Sequence, residues 1–405
     1  MRDQMISIKT GWLINGCGDA VKHNMCLDQK KGTIRSIRKI ASPVPDPSQA
    51  QIQVVDLSDC TLLPGLIDCH AHLALSSTAR RNPPDGFGFE KPDRLHGTIL
   101  KHLNQLLARG VLAVRDGGDP DGSVRRYRAD PGRKAHPVQL RTAGKARHRP
   151  GRYGHLIGSA LPFDRSLAES ILQEEEGIDH IKIVNSGLNS LTEFARETAP
   201  QFDSAEMKAA VHAARKRGFK TMVHANGKLP VKNAVNAGCD SIEHGFFMGK
   251  ENLNRMAERG TIWVPTAYTM KALGDRMKRK GADTDVVRRN LEHQVQQIQT
   301  AREIGVQIAL GTDAGSAGVA HGQAVIEEMR ILLDAGYPIE EIVQCTARCG
   351  ALLLGLPRSG RLKKNVPATF IAVKGAPSQL PESLNQIKAI YLKGNEINMN
   401  SYNLK

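Results

Sequence analysis

Apolar positions follow two rhythms along the chain. Between residues 5 and about 60 they come in short alternating runs: Ile6-Ser7-Ile8-Lys9, then Trp12-Leu13-Ile14, residues 31–37, and Ile52-Gln53-Val54-Val55 beyond a proline-rich connection at 43–47. No helical period is sustained there, so the stretch predicts short strands in a small antiparallel sheet. From Leu62 onward, apolar strand-like runs alternate with amphipathic helical ones. The first strand is entered through Leu62-Leu63-Pro64-Gly65 and closes on His70-Ala71-His72; seven more follow at 111–116, 138–141, 180–185, 220–225, 240–245, 261–265 and 306–313. Helices are predicted between them, around 95–108, 166–176, 204–217, 230–237, 252–259 and 271–304, with a polar loop at 76–92 and a long loop after 141.

Strands alternating with helices imply a parallel sheet, and eight such units over roughly 300 residues suit a closed barrel better than an open sheet. Beyond residue 360 strand-like text returns, at 368–373 and 389–392. The expected organisation is therefore α/β: a (β/α)8 barrel over residues 62–357, with 1–61 and 358–405 as the two parts of one small β-sandwich.

Composition narrows the function classes. The chain has 405 residues, 40% hydrophobic and 24% charged, as expected of a water-exposed globular protein with a sizeable core. No apolar run approaches the roughly 20 residues of a membrane span, and Met1-Arg2-Asp3-Gln4-Met5 does not open a signal peptide. The seven cysteines lack Cys-x-x-Cys spacing, which suggests reduced thiols and a cytoplasmic setting; Cys345 and Cys349 lie four apart on a helix in packing roles. The net charge is +15, but Lys and Arg are dispersed and only 4% of residues are aromatic, a poor supply for stacking on bases. Nucleic acid is thus an unlikely partner. A basic surface that is simply solvated, or one that steers an acidic small substrate, accounts for the charge; homo-oligomerisation is left open.

Candidate chemistry sits at the strand ends. In a parallel barrel the C-terminal ends of all strands converge on one face. His70 and His72 point the same way because strand side chains alternate, and two adjacent imidazoles suit a divalent metal. Lys182 lies in the fourth strand, His224 ends the fifth, His244 the sixth and Asp313 the eighth. Each alone has a plainer explanation: a core histidine, a lysine reaching to solvent, a turn or helix-capping aspartate. Six such residues at one rim, where a packed core would take Val or Leu, argue for a shared task.

Leu63-Pro64-Gly65-Leu66-Ile67-Asp68-x-His70-x-His72, Ile181-Lys182-Ile183, Val223-His224-Ala225, Ile242-Glu243-His244-Gly245 and Gly311-Thr312-Asp313-Ala314-Gly315 together resemble the amidohydrolase superfamily of metal-dependent hydrolases. The likeness runs over nearly the whole chain and is strongest to the branch with prolidase-like and Xaa-Arg dipeptidases and imidazolonepropionase-like enzymes. It implies two divalent metal ions, expected to be zinc. One would be held by His70, His72 and Asp313, the other by His224 and His244, with a carboxylated Lys182 bridging them. It also implies hydrolysis of an amide-type C–N bond, in a dipeptide or an N-acyl amino acid, by a hydroxide generated at the metals, with Asp313 as proton shuttle. Alternatives are a cyclic amide or carbamate hydrolase, a heterocycle deaminase, or a barrel scaffold without catalysis. Lys182 speaks against ring deaminases, which in this superfamily commonly lack the bridging lysine. His155, in Tyr153-Gly154-His155, resembles a substrate-contacting loop histidine, with His148 a weaker competitor. Asn226 stands in the substrate region where dipeptidase-like members often carry Tyr, and Ala368-Thr369-Phe370 replaces a usual Ala-Asp-Leu.

Overall fold

Alternating apolar positions produce β1 (Met5–Leu13), β2 (Lys22–Lys30), β3 (Thr33–Lys39) and β4 (Ile52–Pro64). The computed structural model describes residues 4–41, 52–77, 92–174 and 176–402. The expected connection at 43–47 and most of the polar loop at 76–92 lie outside these. β1 pairs antiparallel with β2 but parallel with β4, so the expected purely antiparallel sheet is mixed. β2, which carries few clean alternations, was not anticipated.

After Gly65 the parallel strands begin. β5 (Leu66–Ala71), β6 (Val111–Asp116) and β7 (Gln139–Thr142) form one sheet. β8 (Ala146–His148), β9 (Gly158–Ala160), β10 (His180–Val184), β11 (Lys220–Ala225), β12 (Ser241–His244) and β13 (Ile262–Val264) form another, in the order β13-β12-β11-β10-β8-β9. The expected third strand, 138–141, forms as β7, and two further short strands, β8 and β9, occupy what was expected to be the long loop after it. β7 pairs with β6; the chain then turns through Gly144 at φ 67°, and β8 pairs with β10. Glycine takes that left-handed backbone without a Cβ clash.

The expected eighth strand, 306–313, forms no continuous ladder. It is tied to one side by Trp263 N–H to Gln307 O and Ala309 N–H to Trp263 O, both 2.9 Å. On the other side Cys69 N–H donates to Leu310 O at 2.9 Å and Asp313 N–H to His70 O at 2.6 Å. The left-handed backbone of Asp313 (φ 55°) takes the segment out of the extended region. The architecture is TIM-barrel-like, but the ring of strands is interrupted rather than a closed (β/α)8 ladder.

Helices pack outside this ring by their apolar faces. The helix Ser204–Lys216 shows why they form where they do: Asp203 accepts from Glu206 N–H at 2.9 Å while Glu206 accepts from Asp203 N–H, and Met207, Ala210, Val211 and Ala214 are buried behind that cap. Such a cap contributes about 1 kcal/mol. The long helix expected over 271–304 is two, Tyr268–Arg279 and Asp285–Ile304, separated at Gly281 (φ 71°). Cys345 and Cys349 fall on a wide helical turn, Gln344–Cys349, and are buried.

β14 (Phe370–Lys374), β15 (Ile387–Leu392) and β16 (Asn395–Glu396) return to the first strands, giving the order β16-β15-β14-β4-β1-β2-β3. β14 covers the edge of β4, which would otherwise expose unpaired backbone groups. The expected two-layer sandwich is a single seven-stranded sheet. It curls until its far ends touch, with Gln29 Nε2 donating to Gly394 O at 3.2 Å, and the curl encloses Ile8, Leu27, Ile34, Leu62 and Phe370.

Candidate metal centre

His70, His72, Lys182, His224, His244 and Asp313 all line one cavity of about 360 Å³. His70 is the penultimate residue of β5 and His72 lies just beyond it; Lys182 is within β10, His224 in β11 and His244 at the end of β12. Asp313 arrives on the segment that bridges β13 to β5. Its Oδ1 lies 3.5 Å from His70 Nε2 and 3.3 Å from His72 Nε2. Lys182 Nζ is 3.4 Å from His70 Nε2. The His244 ring centroid stands 5.0 Å from that of His70 and 4.5 Å from that of His224. Residues separated by more than 240 positions in sequence therefore meet at one mouth.

Hydrogen bonds fix which nitrogen of each imidazole carries the proton. His72 Nδ1 is 3.0 Å from Gly118 O, and a carbonyl can only accept, so Nδ1 donates and Nε2 keeps its lone pair. His70 Nδ1 donates to the Glu243 carboxylate at 2.8 Å, again leaving Nε2 bare. Thr266 gives its own hydroxyl proton to Pro265 O at 2.8 Å, so it accepts from His244 Nδ1 at 2.6 Å, and His244 Nε2 is bare. His224 is reversed: Nε2 donates to Gly187 O at 3.2 Å, and Nδ1 holds the lone pair. Four unprotonated nitrogens and a carboxylate oxygen in one cavity are an acceptor set without donors of its own except Lys182. Orientation of metal-binding histidines by donation from the second nitrogen is the usual arrangement. His70, His72 and Asp313 offer ligand atoms within 4.8 Å of one another. Their oxygen-to-nitrogen separations match the edge of a tetrahedron with bonds of about 2.1 Å, which is about 3.4 Å. The donor set fits a divalent cation.

The sequence model of the amidohydrolase family matches residues 61–397, which include all six cavity residues. The chain belongs to the amidohydrolase family. A solved Xaa-Pro dipeptidase with methionine bound in its active site is 27% identical, superimposes with a TM-score of 0.80, and the match covers 97% of this chain and 100% of that one. Ochratoxinase of Aspergillus niger is 27% identical over 228 residues, 54% of this chain and 45% of its own length. Imidazolonepropionase of Paracoccus denitrificans is 24% identical over 358 residues, 77% of this chain and 79% of its own. Prolidase-like and imidazolonepropionase relatives are those the sequence resembled.

The electrostatics of this amidohydrolase cavity keep three of its four imidazoles, His70, His224 and His244, unprotonated. Burial, then the Lys182 charge, pushes His70 down to about 4 and His224 to about 3. Burial and the two neighbouring imidazoles drive His244 well below its ordinary value. Burial would also lower His72, but the Asp313 carboxylate overrides it and raises the imidazole, so a proton and a cation compete for the same edge. Burial would raise Asp313, yet His72 and His70 hold it well below the usual carboxylate range. Burial brings the Lys182 amine down to about 8.

Backbone strain marks two of the six. His244 has φ 68° and Asp313 φ 55°, left-handed values that cost a non-glycine residue on the order of 1 kcal/mol. At His244 the twist cancels strand alternation, so Glu243 contacts His70 from inside the ring while His244 also faces the cavity. The strained peptide is clamped by its carbonyl, which accepts from Trp263 Nε1 at 2.9 Å and Gln294 Nε2 at 2.6 Å.

Beneath the cavity lies a buried network that sequence reasoning missed. Arg115 donates to Glu243 at 2.8 Å, to Ser241 Oγ at 3.1 Å and to Cys69 O at 2.7 Å, while Glu243 holds His70 from its other oxygen. The available signal was the polar alternation of Ser241 and Glu243 on β12. Of the expected substrate residues, Asn226 lines the cavity, with its Oδ1 accepting from Phe246 N–H at 3.0 Å. His155 does not: it is exposed, because the loop turns it outward and presents Tyr153 instead, 5.2 Å from the His224 ring. His148 is buried with Nδ1 2.9 Å from Arg149 O, away from the lining. Among the described residues no helix is long and apolar enough to cross a membrane.

Proposed function

We propose that this amidohydrolase is a binuclear metal-dependent enzyme that hydrolyses an amide-type C–N bond in a small molecule. The observation that carries the reading is the set of four histidines, each with one nitrogen tied to an acceptor and the other bare in the same cavity as Asp313 and Lys182. His70, His72 and Asp313 would hold one cation, His224 and His244 a second, and a carboxylated Lys182 would serve both. The 3.4 Å approach of Lys182 Nζ to His70 supports the last assignment. A buried amine brought down to about 8 has a substantial neutral fraction near neutral pH. Neutral amine can add to carbon dioxide, forming an N–C bond and releasing one proton, which turns a misplaced positive charge into a negative one. Bound divalent cations, zinc being suited to this donor set, would supply Lewis acidity, which lowers the pKa of water from about 15.7 to about 7.

The chain's own groups manage the proton. Asp313, held ionised, accepts it from the attacking water as the water oxygen bonds to the carbonyl carbon. It then passes that proton to the nitrogen as the C–N bond breaks, so a carboxylic acid and an amine leave. Asn226, fixed by Phe246 N–H, orients the substrate. The likeness to a dipeptidase supports amide chemistry; dipeptides, N-acyl amino acids, cyclic amides and carbamates all satisfy it. Placement of Lys182 in the cavity favours these over heterocycle deamination.

The test is turnover of an amide panel by zinc- or manganese-loaded protein. Expected are cleavage with metal, loss on chelation, and recovery on reloading; Asp313→Asn should keep much of its metal while kcat falls at least a hundredfold. Equal rates in Asp313→Asn would remove the shuttle, and no cleavage of any amide by loaded protein would overturn the reading.

A further inference from the structure

We propose that the cavity takes an uncharged amide bearing an apolar group on each side of the scissile bond, in preference to a substrate with a free carboxylate; this rests on the amide-hydrolase reading above. Two separate apolar clusters open into the cavity. One contains Leu75 and Ile157, with Tyr153 and Leu156 packed on it, and is backed by Ala146 of β8 and Val184 of β10. The other contains Phe246 and Met270, with Leu191 packed on it, and follows β12 into the helix Tyr268–Arg279. The two share no member. In strand order β11 lies between them, and it carries His224 and leads into Asn226. A scissile group at the histidine cluster therefore has an apolar wall toward either arc of the ring.

Charge on the lining is confined to that cluster. Among the described residues lining the cavity, Lys182 is the only lysine or arginine and Asp313 the only carboxylate; the remaining polar ones, including Asn189, Asn226 and Thr269, are neutral. A carboxylate set against either wall would lose water and gain no counter-charge, whereas an alkyl or aryl group gains by leaving water. Leu188, 59% exposed, adds a further apolar side chain to the lining.

Two substrate pairs that differ only by a carboxylate test this, one on each side of the bond. They are hexananilide against the monoanilide of adipic acid, and N-hexanoyl-phenethylamine against N-hexanoyl-phenylalanine. With metal-loaded enzyme the uncharged member of each pair should show a kcat/KM at least tenfold higher. Equal or faster cleavage of the carboxylates overturns the proposal and leaves the hydrolase reading standing. If none of the four is cleaved, the amide panel above decides the hydrolase reading, and calorimetric titration with the same pairs decides the binding claim: tenfold tighter binding of the uncharged members supports it, and equal or tighter binding of the carboxylates overturns it. Leu188→Arg and Leu191→Arg, at exposed and half-buried positions that tolerate a charge, should shift the ratio at least tenfold toward the carboxylates with metal content unchanged. An unmoved ratio in both would remove these walls from substrate recognition.

Discussion

Glu243 and Lys182 make opposite demands on the same buried ground. Burial would raise the Glu243 carboxyl, but the Arg115 guanidinium and the His70 hydrogen bond hold it far below its usual range, so the carboxylate stays ionised and fixes the His70 proton on Nδ1. Glu243→Gln would leave Arg115 charged and poorly compensated. It should destabilise the fold by about 3–5 kcal/mol and weaken metal binding by about 10–100-fold, read by denaturant unfolding and by competition with a chelator. An unchanged metal affinity would contradict the positioning role. Lys182 is the converse case. Its folded value of about 8 lies below the ordinary 10.5, so between those limits the unfolded chain binds the extra proton and stability rises with pH. In metal-free protein, Lys182→Met should be more stable than wild type by about 3 kcal/mol at pH 7. That difference should shrink from about pH 8 and vanish above about 10.5; a flat difference would mean the amine is not desolvated in the fold.

At the scale of elements, the segment 306–313 matters most, because it brings Asp313 to the two histidines without forming a ladder of its own. Gly311 makes the close approach possible: a Cβ there would collide with Val264 Cγ1 and come within 2.8 Å of His70 Cβ and 2.9 Å of His70 N. Gly311→Ala should therefore cost about 1–3 kcal/mol and displace Asp313 from His70 and His72. Metal affinity should fall at least tenfold in an equilibrium titration; native affinity would show that the segment's spacing is not what assembles the site. The same elements show where sequence reading reached its limit. All six ring residues were legible because each interrupts or ends an apolar run, and a polar residue in or at the end of a buried strand has no ordinary reason to be there. The extra strand β8 beyond the turn and the twist at His244 were not, since both depend on single left-handed residues, Gly144 and His244, whose surroundings are set by distant chain. The place of His155 outside the lining was hidden for a related reason: loop residues carry no period, so Tyr153 and His155 could not be told apart by pattern.

Across the whole molecule, both ends of the chain build one curled sheet, so β4 leads directly through Gly65 into β5 and His70. Parallel pairing of β1 with β4 was hidden because it needs a long crossover that the residues between do not advertise. The net charge of +15 stays outside the cavity's chemistry: the lining carries a single lysine among the described residues, and that one is at the cluster. Residues from five separated segments are proposed to share a pair of cations. Anomalous diffraction from zinc-loaded crystals, collected on both sides of the zinc absorption edge, tests that directly. The predicted result is two anomalous peaks in the cavity, one against His70, His72 and Asp313 and one against His224 and His244, with extra density extending from Lys182 Nζ toward both. A single peak, or none within reach of His224 and His244, would contradict it.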